Sequence, residues 1–228
     1  METSQKPKPP NLDCEFCTEF SGYLDDNSPI RKIFGPPLSG SPRLLYETDD
    51  FAVIVGLGQI VEGYLLILPK RHYFSMAFLS EELLQKLEEL KIDTRKKMKS
   101  VYGDVVFFEH GATSGSNGAG RCVDHAHLHV LPLQINIENK LANDLNGEEM
   151  MSYSNGLRLR AENDQPYLYY ENQHGKKFIF DVYNLKSQYL RKVIALELGL
   201  KERWDWGVWW GEKEMLNTLG KLDFWKTK

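Results

Sequence analysis

The sequence predicts an α+β fold: an antiparallel sheet carrying one long helix, followed by a mixed C-terminal extension. Three observations carry this expectation. Short apolar runs at residues 43–47, 51–55 and 63–68 are separated by turn residues, as in a meander of antiparallel strands. Ser80, followed by Glu81, Glu82 and an apolar stripe, reads as the capped start of an amphipathic helix. His125, His127 and His129 alternate with Ala126, Leu128 and Val130, the period of a strand that buries one face and lines up three imidazoles on the other.

Composition narrows the class. The 228 residues suffice for one large domain, or for one domain with a substantial extension. A hydrophobic content of 42% with 26% charged residues is that of a soluble globular protein. The formal net charge of −4 argues against a general binder of nucleic acid polymers. No apolar run approaches the ~18 residues of a membrane span. Residues 1–11 have no apolar core and read as a disordered leader rather than a signal peptide. Three cysteines make no disulfide framework, and reduced thiols in a cytoplasm are the expectation.

In chain order, Cys14 and Cys17 stand in C-x-x-C spacing, which brings two thiols within reach of one metal or of each other. Residues 28–42 are rich in Pro and Gly and should be irregular, with one short helix at 30–34. Asp49-Asp50 makes the turn between the first two strands. In the helix, Leu83, Leu84, Leu87, Leu90 and Ile92 form the apolar stripe, and the basic cluster at 95–99 is expected to compensate the helix dipole. A strand at 105–109 leads through the Gly- and Ser-rich loop 111–120 into the histidine row. Beyond residue 135, a short helix at 139–145 and a strand at 157–160 are expected. A hairpin of 167–171 with 177–183 follows, with His174 exposed in its turn. Helices at 187–198, ended by Gly199, and at 212–222 complete the chain. Four of the five tryptophans lie between 204 and 210 and are expected to anchor the extension on the core.

Imidazole titrates near neutrality and serves as nucleophile, general acid or metal ligand. Alternate strand positions lie about 6.5–7 Å apart, so all three histidines on one ion would be strained. A central histidine flanked by two others suits phosphoryl chemistry. Glycines in the preceding loop let backbone N–H groups close around phosphate oxygens.

The row His125–Leu131, together with the upstream Gly63-Tyr64-Leu65-Leu66-Ile67-Leu68-Pro69-Lys70-Arg71-His72, resembles the histidine-triad (HIT) superfamily of nucleotide hydrolases and transferases. The resemblance implies a HIT-like fold with a HIT catalytic domain at 12–135 and the extension at 136–228. It makes His127 the nucleophile that attacks the α-phosphorus of a nucleoside phosphate derivative, such as a dinucleoside polyphosphate, through a nucleotidyl-histidine intermediate. His129 and the loop amides would stabilise charge on the non-bridging oxygens. By the same resemblance Cys14, Cys17, His72 and His125 form a closed structural zinc site. A homodimer is implied as well. Alternatives are a nucleotidyltransferase or phosphorylase with an acceptor other than water, or a nucleotide-binding module of low turnover.

Departures from the family pattern concern the substrate contacts. Gly120-Arg121-Cys122 stands where Gly-Gln-Ser or Gly-Gln-Thr is usual, and Arg121 offers a charge where Cys122 is a poor hydroxyl replacement. Ser114 occupies the place of an Asn or Gln, with Asn117 and Gly118 nearby, and Gly56 that of a ribose-binding acid. Ser114, Asn117, Gly118, Gly120, Arg121 and Cys122 are thus the expected substrate contacts. His110, at the end of its strand, points toward the same cleft or serves the core. Arg191 is expected to make a surface ion pair, with a phosphate contact as the alternative.

Overall fold

The computed structural model describes residues 13–36, 40–112, 123, 125–150 and 153–226. Two short helices come first, α1 (Glu15–Phe20) and α2 (Pro29–Phe34), the latter with Pro29 in its first turn, where the missing N–H costs nothing. The meander follows as β1 (Leu44–Glu47), β2 (Phe51–Val55) and β3 (Leu65–Pro69). Helix α3 (Glu81–Val101) starts at Ser80, whose hydroxyl accepts from the Leu83 N–H. Strands β4 (Val105–Gly111) and β5 (Leu128–Pro132) complete the first part. The second part runs α4 (Glu138–Asp144), β6 (Asn146–Met150), α5 (Tyr153–Glu162), β7 (Tyr167–Glu171), β8 (Lys177–Asp181), α6 (Tyr189–Glu197) and α7 (Glu212–Lys221).

All eight strands among the described residues belong to one antiparallel sheet in the order β1-β2-β3-β5-β4-β7-β8-β6. The extension therefore continues the sheet. Its β7 pairs along β4 from Phe107–Glu171 to Gly111–Tyr167, so neither edge of β4 is open to another chain. The outer strand β6 exposes Glu148 and Glu149, charges that discourage further strand addition.

Both faces of the sheet are covered. One buries Leu84, Leu87, Leu90 and Met98 of α3 against Phe107, Leu128 and Val130, joined by Leu157 of α5 and Met215 of α7. The other buries Phe16 and both cysteines with Tyr64, Phe108 and Tyr170 under Leu190 and Ile194 of α6. A buried cluster ties α3 to the extension: Lys91 pairs with Glu88 and Glu171, and Arg95 reaches Glu171 at 2.6 Å.

Three expectations need correction, and one element is new. Residues 157–160 alternate Leu-Arg-Leu-Arg like a strand, yet they lie in α5. There Tyr153, Leu157 and Arg160 are buried at helical spacing while Leu159 is 48% exposed. Residues 146–150, for which the sequence suggested no element, form strand β6. Ile92 is off the α3 stripe and 57% exposed, because the buried positions run 84, 87, 90, 91, 94 and 98. The regular strand of the histidine row begins at Leu128, so His125 and His127 precede it. Their alternation still holds, since Ala126, Leu128 and Val130 enter the core against α3.

Candidate functional site

The N-terminal helix and the histidine row meet at four donor groups. Cys14 caps α1 with its sulfur, which accepts from the Cys17 N–H at 3.4 Å, so both thiols face the same way. Cys14 Sγ lies 3.4 Å from His125 Nδ1, and Cys17 Sγ lies 3.6 Å from both His125 Nδ1 and His72 Nδ1. The four candidate ligand atoms of Cys14, Cys17, His72 and His125 all lie within 4.8 Å of one another. In a tetrahedron with ordinary zinc–sulfur and zinc–nitrogen lengths, the S···N edge is about 3.6 Å. Three of the four S···N edges have that size. The other nitrogen of His125, Nε2, donates to the Pro69 carbonyl at 2.8 Å, which fixes the tautomer and presents the Nδ1 lone pair to the thiols. Burial and the adjacent Cys14 push the bare Cys17 thiol up to about 12, a cost that a cation among these donors would remove.

One step along the row, His127 lines a cavity of about 340 Å³ together with His129, Tyr64, Arg191, Trp206 and residues of α1 and α2. His127 Nδ1 donates to the carbonyl of His125 at 2.6 Å, which leaves the lone pair on Nε2. Phe16 packs edge-on against both His125 and His127. A single short helix thus supplies both the thiols and a wall of the cavity.

His129 is held differently. Phe108 stacks on its ring at 4.2 Å, and the Tyr64 hydroxyl is hydrogen-bonded to its Nδ1. In the tautomer in which Tyr64 donates, Nε2 carries the proton. That Nε2 is buried and has no hydrogen-bond partner among the described residues. Burial, with His127, His110 and Arg191 adding repulsion, holds His129 well below the ordinary imidazole range. The ring is neutral at neutral pH, and in that tautomer it offers an N–H rather than a charge.

His110, its ring centre 5.9 Å from that of His129, accepts the Leu190 N–H through Nε2 at 3.2 Å. Burial lowers it to about 3, so it stays neutral and anchors the first turn of α6. Arg191, the next residue of that turn, makes no ion pair among the described residues. It is 2% exposed, and its guanidinium sits over the Tyr64 ring at 5.1 Å, because carbonyls from distant segments converge on it. On the far wall, Arg43 forms a buried pair with Glu19, and Ser41 donates to the same carboxylate.

Of the sequence-derived candidates, Cys14, Cys17, His72 and His125 come together at one point, and His127 and His129 share one cavity. Ser114, Asn117, Gly118, Gly120, Arg121 and Cys122 lie outside the described residues, as does the leader. Sequence reasoning missed Tyr64 and the buried setting of Arg191. Tyr64 was accessible, since Leu66 pairs with His129 across β3 and β5 and Tyr64 shares its parity. The tryptophans meet the 56–62 loop: Trp209 Nε1 donates to the Gln59 carbonyl at 2.9 Å, and the Gly58 N–H donates to the Trp210 carbonyl at 2.8 Å.

Residues 41–135 match the model of the HIT domain. The chain therefore contains a HIT domain over these residues. No curated protein matches the chain. Among solved structures it is similar to a hypothetical histidine triad nucleotide-binding protein from Sulfolobus tokodaii, with 22% identity and a TM-score of 0.35 over 41% of this chain and 62% of that one. The latter share is under two thirds of that protein's length. It is also similar to a histidine triad protein from Clostridium difficile, with 20% identity and a TM-score of 0.37 over 55% of this chain and 95% of that one. A third is a zinc-bound histidine triad family protein from Mycobacterium smegmatis, with 18% identity and a TM-score of 0.34 over 48% of this chain and 76% of that one. No described helix is long and apolar enough to cross a membrane.

Proposed function

We propose that the protein binds a nucleoside phosphate derivative in the cavity beside the histidine row and cleaves it at the α-phosphate, with His127 as nucleophile. The observation that carries this reading is the Nδ1–H of His127 donating to the His125 carbonyl at 2.6 Å, which fixes the tautomer with a lone pair on Nε2. Attack by Nε2 forms an N–P bond, and the leaving group departs with the electron pair of the bond it shared with the α-phosphorus. Water or another acceptor then displaces His127 and takes the nucleotidyl group. His129, its buried Nε2 without a hydrogen-bond partner among the described residues, would in the tautomer with Nε2–H donate to a non-bridging oxygen as charge builds. Hydrolysis and transfer share this first step and differ only in the acceptor.

Zinc on Cys14, Cys17, His72 and His125 fits the reading. The donor set is a Cys2His2 shell, and three of its S···N edges match those of a zinc tetrahedron. Such an ion supplies cross-linking rather than chemistry: it fastens α1 to the start of the histidine row and so holds Phe16 against His127. The role of His127 is tested by incubating the protein with dinucleoside polyphosphates and nucleoside phosphoramidates, with and without added acceptors. Wild-type protein should turn over and His127→Ala should not, with its melting temperature unchanged. Unchanged hydrolysis by that variant would remove His127 from the reaction.

A further inference from the structure

Arg191 belongs to the extension, yet it faces the cavity of the HIT domain. All four hydrogen bonds it makes among the described residues go to neutral oxygens: the Gly58 carbonyl at 2.7 Å, the Trp204 carbonyl at 2.8 Å, the Gln188 side chain at 3.2 Å and the Arg203 carbonyl at 3.4 Å. These bonds use Nε and Nη2. They orient the group without neutralising it; among the described residues no carboxylate pairs with it, and a buried cation left so is costly. The same cavity is lined by His129, 4% exposed, whose buried Nε2 has no hydrogen-bond partner among the described residues and carries a proton in the tautomer in which Tyr64 donates. Tyr64 lies between them, its ring under the guanidinium and its hydroxyl on His129.

We infer that Arg191 is a phosphate-binding residue contributed by the extension, so that the substrate site of the HIT domain is completed by residues outside it. The inference rests on the nucleotide reading above and sharpens it. An anionic phosphate oxygen in the cavity is the missing counter-charge of Arg191, and the planar fork of a guanidinium suits two such oxygens. The carbonyl cradle fixes the fork before the ligand arrives, so little side-chain entropy is lost on binding. It also accounts for the loop at Gly58. A Cβ there would come within 2.7 Å of Arg191 Nη2 and 2.4 Å of Trp206 Cβ, so only glycine lets the 56–62 loop close on the extension.

The test compares AMP, adenosine and inorganic pyrophosphate as calorimetric probes of the full chain at fixed ionic strength. Arg191→Met keeps most of the packing volume and removes the charge. It should weaken AMP and pyrophosphate by about 10–100-fold, the loss of one charge-assisted hydrogen-bond set, and leave adenosine within about threefold. Equal loss of AMP and adenosine marks a structural role and overturns the inference, as does unchanged AMP and pyrophosphate affinity. If Arg191→Met does not fold, Arg191→Lys carries the test. It keeps a charge but not the fork, so weaker pyrophosphate with unchanged adenosine supports the inference and unchanged pyrophosphate overturns it. Two further outcomes separate the two readings. Pyrophosphate binding that needs Arg191, with neither AMP nor adenosine bound, defeats the nucleotide reading and keeps the anion seat. AMP binding indifferent to Arg191 does the reverse.

Discussion

Replacing Gly58 by alanine is the smallest change that separates the extension from the cavity. Gly58 has φ of +73°, a region in which an L side chain crowds its own carbonyl. The added Cβ would lie 2.4 Å from Trp206 Cβ, 2.7 Å from Arg191 Nη2 and 2.9 Å from the Trp206 Cα. The last is a backbone atom, so no rotamer change relieves it. The left-handed backbone costs about 1 kcal/mol and overpacking about 1–3, for a total of about 2–4 kcal/mol. Lifting the segment around Trp206 avoids the clash but breaks the bonds from Gly58 to Arg191 and Trp210. The variant should lose about 2–4 kcal/mol in urea denaturation followed by tryptophan fluorescence. AMP affinity should fall along with it, because Arg191 loses its cradle. Metal content should not change, since Cys14, Cys17, His72 and His125 do not touch this loop. Stability within about 0.5 kcal/mol of wild type, with AMP affinity intact, would refute the reasoning.

Other expectations follow from buried groups away from the cavity. Burial raises Glu109 from 4.5 to about 7, although the Tyr167 hydroxyl and the Met76 N–H both donate to it. Between those pH values the folded state holds a proton that the unfolded state has lost. Its contribution is therefore fully present below about pH 4.5 and is lost as pH rises toward 7, roughly 3 kcal/mol in all. Glu109→Gln should flatten that fall in urea titrations between pH 5 and 8, and an unchanged slope would exclude Glu109 as its source. Protein purified without chelator should carry about one equivalent of zinc and lose it in Cys14→Ser or Cys17→Ser. Less than about half an equivalent in wild type counts against the site. On α3, Leu87→Ala should cost about 2–5 kcal/mol, whereas Ile92→Ala should stay within about 0.5. Similar losses at the two positions would contradict the burial that separates them.

The histidine row and α3 were legible because their patterns are local. The period of two at 125–130 survives although only part of it is regular strand, since the core side chains Ala126, Leu128 and Val130 set the register. The four donors of the cysteine–histidine cluster were legible only through a resemblance, because nothing in the spacing of residues 14, 17, 72 and 125 brings them together. Strand β6 was invisible for the opposite reason: an edge strand with both faces wet carries no apolar alternation, and Asn-Gly-Glu-Glu-Met reads as loop. Helix α5 was misread because four residues fit a period of two and the decisive Tyr153 lay outside the window. The environment of Arg191 is the deepest case. An arginine in a helix reads as surface, and what buries it comes from residues 58, 203 and 204. That convergence exists only once the extension has continued the sheet.

The central claim is that His127 bonds to the α-phosphorus, and the direct measurement is intact-mass analysis of protein quenched in alkali during turnover of a dinucleoside polyphosphate. Phosphoramidates of histidine survive alkali and decompose in acid. Wild-type protein should gain the mass of one nucleoside monophosphate less water, and fragmentation should place it on His127. The adduct should disappear on acidification and be absent from His127→Ala. Turnover with no adduct under these conditions, or an adduct on another residue, would contradict the account.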